Sequence, residues 1–182
     1  MPDIPSPPRR RSLRYAGYDY GQPGAYFVTA CVQRRISLFG DIAGTEMRLN
    51  GAGRMVACWW NRLPEKFRFV AVDEFVVMPN HIHGIVMNQA TATPEGPAAL
   101  GQIVAWFKTM TTNAYIRGVT DDGWRSFDGR LWQRNYYEHI IRSEDDLNHI
   151  REYIAMNPAK WAADRENVAA SEIPMSDYPW QV

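Results

Sequence analysis

The run Val76-Val77-Met78-Pro79-Asn80-His81-Ile82-His83-Gly84-Ile85-Val86 constrains this chain more than any other. It is apolar apart from a Pro-Asn turn and two histidines one residue apart, and it reads as a buried strand. Side chains at i and i+2 of a strand project from the same face. His81 and His83 therefore stand side by side on a rigid element, an arrangement that offers two neutral imidazole nitrogens to one metal ion. The fold has to bury this strand and bring further polar groups to the histidine face.

The pattern on either side supplies the other elements. Residues 1–24, rich in Pro, Arg, Gly and Tyr, read as an extended basic arm, and Ala25–Val32 is β-branched and aromatic, a first strand. Residues 47–50 precede a helical stretch that passes Trp59 and Trp60 and stops at Leu63, before Pro64. Phe69–Met78 is a second strand and His81–Met87 the histidine strand. A Thr, Ala and Pro-rich loop over 88–97 leads to a helix over 99–117, with Ile103, Phe107, Met110 and Ala114 at helical spacing. Leu131–Ile141 is a last strand. Ser143, followed by Glu144, Asp145 and Asp146, opens a third helix that ends near Asn157-Pro158. The order β-α-β-β-α-β plus a helix predicts an α+β, ferredoxin-like antiparallel sheet with a C-terminal helix bearing the chemistry. The domain is expected over 25–160, with 161–182 a loosely packed tail.

Composition narrows the function classes. Cys31 and Cys58 are the only cysteines and have no paired spacing, which argues against a disulfide framework or thiolate zinc site and suits a reducing cytoplasm. No apolar run reaches the roughly 18 residues of a membrane span, so no membrane role is expected. Net charge is zero but unevenly spread: residues 1–35 carry six arginines against two aspartates, and the remainder is correspondingly acidic. A basic arm on such a body suits a polyanion or is simply solvated.

The third helix completes the constellation. His149, Tyr153 and Asn157 recur at i, i+4 and i+8, one polar stripe beside the apolar Leu147, Ile150 and Ile154. Packed near the histidine strand, this stripe would bring an amide oxygen from Asn157 to a metal and a Tyr153 hydroxyl to a bound substrate. A phenol has a pKa of about 10 and needs a base or nearby cation to attack a phosphodiester. A divalent ion on His81, His83 and Asn157 would polarise the phosphate. Exchange of one phosphodiester for another conserves the bond, the logic of strand transfer rather than hydrolysis.

These residues carry a resemblance. His81-Ile82-His83, within Val77-Met78-Pro79-Asn80-His81-Ile82-His83-Gly84, resembles the His-hydrophobic-His (HUH) motif of single-tyrosine transposases. Trp132-Gln133-Arg134-Asn135-Tyr136-Tyr137-Glu138-His139, followed by Tyr153-Ile154-Ala155-Met156-Asn157-Pro158, is similar to the REP-associated tyrosine transposase branch. The likeness covers roughly residues 10–165 in the same order, far more than a lone HxH. It implies a bacterial enzyme that cuts and rejoins single-stranded DNA at palindromic repeat hairpins through a 5′-phosphotyrosine, with Mg²⁺ or Mn²⁺. It assigns His81 and His83 as metal ligands and Tyr153 as nucleophile. Asn157 stands where related insertion-sequence enzymes usually have Gln, an amide of longer reach. Both a monomer and a homodimer are compatible with it.

Other residues carry two readings each. Tyr136 and Tyr137 are strand packing residues or rival nucleophiles, and His149 is a surface histidine or orients the phenol or phosphate. Trp59 and Trp60 read as core. Arg9, Arg10, Arg11, Arg14, Lys108, Arg117, Arg134 and Arg142 are candidate DNA contacts or ordinary solvated charges. Two functional alternatives stay open, a repeat-binding protein that does not cut and a metal-dependent hydrolase that uses water.

Overall fold

The computed structural model describes residues 19, 22–89, 98–164 and 166–167. Four strands form the main sheet: β1 (Gly24–Cys31), β4 (Val70–Val77), β5 (His81–Asn88) and β6 (Tyr137–Ile141). Their order is β4-β5-β1-β6, and every neighbouring pair is antiparallel. The helices α1 (Gly51–Asn61) and α3 (Leu100–Asp121) lie between β1 and β4 and between β5 and β6 in the chain. This is the ferredoxin-like arrangement, with α4 (Glu144–Met156) added after the last strand.

Register decides which side chains share a face. Cys31 pairs with His81, Thr29 with His83 and Phe27 with Ile85 across β1 and β5. One face therefore carries Phe27, Thr29, His81, His83 and Ile85, and the other carries Tyr26, Val28, Ala30, Ile82 and Val86. The second face packs on α1 and α3, where Val56, Trp60, Ile103, Val104, Phe107 and Tyr115 fill a large aromatic-rich core. Gly84 belongs to this packing: a Cβ there would lie 2.4 Å from the Trp60 ring. The glycine lets the indole rest directly on the backbone behind the histidines.

The first face packs on α4 through a much smaller apolar group, Phe27, Ile85, Leu147, Ile150 and Ile154. The Ser143 hydroxyl caps this helix by accepting from Asp146 N–H at 3.1 Å, and acidic residues fill its first turn as predicted. Arg151 ties it to β4, its Nε and Nη2 donating to the Asp73 carboxylate at 2.8 and 2.7 Å. That guanidinium holds the Asp73 carboxyl below its usual range.

The structure departs from the sequence reading in four places. A hairpin, β2 (Gly40–Ala43) with β3 (Glu46–Leu49), was not expected; its strands are too short for a period-2 signal, and its turn needs Gly44 at φ +65°. The helical stretch does not run unbroken to Leu63. It pauses at Arg62, and Pro64 sits in the first turn of a separate short helix, α2 (Leu63–Lys66), where its missing N–H costs nothing. α3 continues a turn past Arg117 because Gly118, a stop signal in sequence, is buried under the Trp124 ring. The last strand starts at Tyr137, not Leu131. Residues 131–135 instead cross the end of β1, with Trp132 bridging Val32 and Gln133 N–H donating to Cys31 O at 2.9 Å. Among the described residues no helix is long and apolar enough to cross a membrane.

Candidate active site

The turn before β5 is held from several sides, and this fixes where the histidines emerge. Pro79 O accepts from the N–H groups of Leu38 and Phe39, and Asn80 O accepts from Val32 N–H. The Asn80 side chain donates to Arg35 O at 2.9 Å and to Glu166 O at 2.7 Å. Its Oδ1 is thereby left to accept from His81 Nδ1 at 2.8 Å. That bond assigns the proton of His81 to Nδ1 and leaves its Nε2 as a lone pair.

Both histidines are wholly buried, with their Nε2 atoms 2.9 Å apart. His83 has Thr29 Oγ1 2.7 Å from its Nδ1 and is stacked on Phe27. Burial pushes the His81 pKa well below its usual value, and the neighbouring His83 and Arg35 add to this. The imidazole stays neutral, the form that ligates metal.

α4 delivers the next group. Tyr153 Oη lies 3.4 Å from His83 Nε2, and its ring meets the edges of Phe27 and His83. One turn on, Asn157 is 2% exposed, and its side-chain Oδ1 is buried without a hydrogen-bond partner among the described residues. An orphaned buried acceptor is costly and calls for a donor or a cation. The donor set fits a divalent ion. The two neutral imidazole nitrogens, 2.9 Å apart, and the unpaired Asn157 amide oxygen would hold such an ion.

Sequence reasoning missed Asp164. Its Oδ2 is 4.0 Å from His81 Nε2, and the ligand atoms of His81, His83 and Asp164 lie within 4.8 Å of one another. No local pattern marks it, because it arrives through a 3₁₀ turn over Pro158–Ala163 in what reads as a tail.

The remaining candidates are scattered. His149 is exposed on α4. Tyr137 packs against the apolar group beneath α4, and Tyr136 against the opposite core. Trp60 is core as expected, and Trp59 is partly buried against the same core. Lys108 donates to Gln133 O and Asn135 O, both at 2.9 Å, and burial lowers its pKa to about 8. Arg117 and Arg142 are exposed. Arg134 lines an open cleft with Gln33, Arg34, Asp128, Gly129, Arg130, Gln133 and Asn135. Arg9, Arg10, Arg11 and Arg14 lie outside the described residues.

Known proteins are similar to this chain. A Haemophilus influenzae protein, itself uncharacterised, is 39% identical over 172 residues, covering 86% of this chain and 92% of its own. A second protein of that organism, named "Putative REP-associated tyrosine transposase", is 26% identical over 145 residues, 78% of this chain and 74% of its own. Among solved structures, a REP-associated tyrosine transposase bound to a REP hairpin has the same fold. The TM-score is 0.55 at 20% identity, covering 96% of this chain and 95% of that one. The model of the family described as "Transposase IS200 like" matches residues 60–157, from Trp60 in α1 through the histidine strand to Asn157 at the end of α4. On that match, which takes in His81, His83, Tyr153 and Asn157 together, the chain belongs to the IS200-like transposase family.

Proposed function

We propose that this transposase-family protein is a metal-dependent single-stranded DNA endonuclease and strand transferase that acts at palindromic repeat hairpins through a 5′-phosphotyrosine. The observation that carries the reading is the Tyr153 hydroxyl 3.4 Å from a pair of buried histidines whose Nε2 atoms face each other at 2.9 Å. His81, His83 and Asn157 hold the ion, Mg²⁺ or Mn²⁺. When bound, it supplies Lewis-acid polarisation of the scissile phosphate. The hairpin substrate is suggested by the structural neighbour, which was solved on a REP hairpin.

The chain's own residues do the rest. Asn80 and Thr29 fix the imidazole rings from behind, so neither histidine has to reorganise when the site is used. Tyr153 Oη attacks phosphorus and the 3′-oxygen of the preceding nucleotide departs. The phenol proton is given up to solvent, and the leaving 3′-oxygen takes one up. Attack of a 3′-hydroxyl on the phosphotyrosine reverses the exchange, so rejoining consumes no nucleotide cofactor. All the named groups belong to one chain, so the reading needs no second copy; a homodimer would repeat the site.

Residues 25–160 form the catalytic domain in this proposal. The arm over 1–24, with Arg9, Arg10, Arg11 and Arg14, grips the foot of the hairpin, and Arg117, Arg134 and Arg142 add phosphate contacts. The protein works in the cytoplasm, where its substrate is. Labelled single-stranded hairpins, drawn from repeats flanking the gene and incubated with Mn²⁺ or Mg²⁺, test the reading on a denaturing gel. A covalent protein–DNA adduct that requires metal and is absent in Tyr153→Phe is expected. Cleavage without an adduct, unchanged by that substitution, replaces it with a water-using hydrolase. Binding without cleavage under either ion replaces it with a repeat-binding protein.

A further inference from the structure

The chain does not leave the site when α4 ends. The 3₁₀ turn Pro158–Ala163 brings the Trp161 ring to 6.0 Å from the His81 ring, between centroids, and places Asp164 behind it. Asp164 is 9% exposed. Oδ1 accepts from Glu166 N–H at 2.7 Å, and Oδ2 faces His81 Nε2 at 4.0 Å. One carboxylate oxygen of Asp164 lies within 4.8 Å of ligand nitrogens of both His81 and His83, the position of a further ligand atom.

What holds it there is a second, buried arrangement. Glu166 is 3% exposed; its carboxylate takes Arg35 Nε at 2.8 Å and the Cys31 thiol at 3.3 Å. Its carbonyl takes the Asn80 side-chain amide, the same amide whose oxygen fixes His81. Arg35 reaches this position from left-handed backbone, φ 53°, after Arg34 at φ 59°. Such conformations are uncommon for residues other than glycine and cluster where function fixes geometry. The segment after α4 is therefore clamped to the end of β1 and to the histidine turn, with Asp164 as the group the clamp delivers.

We propose that Asp164 is a fourth protein ligand of the divalent ion, and that Glu166, Arg35 and Asn80 are the positioning residues that deliver it. This rests on the metal reading of His81, His83 and Asn157. The chemical reason is charge. Two imidazoles and an amide are neutral, and hard dications such as Mg²⁺ and Mn²⁺ prefer anionic oxygen. The Asp164 carboxylate supplies the negative charge the other three lack.

The test is Mn²⁺ titration of the full-length protein without DNA, read by loss of the free-ion electron paramagnetic resonance signal. Apo thermal unfolding checks that each variant is folded. Asp164→Asn and Asp164→Ala are each expected to weaken Mn²⁺ binding more than about tenfold, and Glu166→Gln by up to about tenfold. Hairpin affinity in EDTA should not change. Unaltered or tighter Mn²⁺ binding in both Asp164 variants overturns the proposal and makes the segment a cover rather than a ligand donor. His81→Ala separates the two readings. If it abolishes Mn²⁺ binding while the Asp164 variants do not, only the fourth ligand is lost. If His81→Ala also binds Mn²⁺ normally, the metal site itself falls.

Discussion

The two faces of the sheet are built for different purposes. The face under α1 and α3 is a continuous apolar and aromatic core, with Trp60 on the Gly84 backbone and Phe107 edge-on to the Trp60 ring at 5.4 Å. The face under α4 has one compact apolar group, and beside it the sheet presents Thr29, His81 and His83. Buried polar groups are tolerated only when partnered, and here the partners come from Asn80, Thr29 and the segment after α4. The face under α1 and α3 holds the fold with packing. The face under α4 trades packing for polar geometry, so its cohesion depends on a few hydrogen bonds and a small apolar group that includes Leu147, Ile150 and Ile154 of the helix.

The sharpest way to break this division is Tyr153→Phe. It should remove covalent adduct formation altogether on a denaturing gel. Urea unfolding should shift by less than about 1.5 kcal/mol, since the ring and its packing are kept and the hydroxyl lies at a long 3.4 Å from His83 Nε2. A large loss of stability together with lost activity would mean that the tyrosine belongs to the core. The converse experiment is Trp60→Ala, which empties the center of the opposite face and should cost about 3–5 kcal/mol of unfolding free energy. Mn²⁺ affinity, measured below the unfolding transition, should stay near the parent value.

Ile154→Ala sits between these extremes. It removes a fully buried side chain from the small group and should cost about 2–4 kcal/mol. Amide exchange in α4 should accelerate more than in α3, because little else holds the helix down. The smallest effect is expected from Arg151→Ala. The Asp73 carboxyl is held below its usual pKa in the folded state, so the pair's contribution is present above the unfolded carboxylate range and is lost as pH falls through the folded value. The stability difference between parent and variant should be small at pH 7 and vanish in acid, as urea unfolding at both pH values would read.

The contrast also explains what could be read from the chain. The histidine strand and the α4 helix are local periodicities from which the ferredoxin-like order follows, and the structure reproduces these, while His149 of the helix stripe is exposed and Asn157 is buried. The Tyr153 spacing to Asn157 is likewise helix geometry. The β2–β3 hairpin escaped notice because four-residue strands do not establish a period. Gly118 and Pro64 were misleading for the opposite reason. Gly118 is a local signal overruled by a tertiary contact, the Trp124 ring, whereas Pro64 is compatible with a helix because it stands in the first turn of α2. Asp164 was invisible because its meaning comes from Glu166 meeting Arg35 and Asn80, residues far away in sequence.

That separation has a consequence for when the protein becomes competent. The Cys31–Glu166 contact spans 135 residues and the Asn80–Glu166 bond spans 86. Neither contact forms before the far end of its stretch is present. During synthesis the sheet and its aromatic core can assemble while the last segment is still inside the ribosome. The clamp behind His81 closes only once residue 166 has emerged, so a nascent or prematurely terminated chain carries the histidine pair without the Glu166 contacts to Cys31 and Asn80.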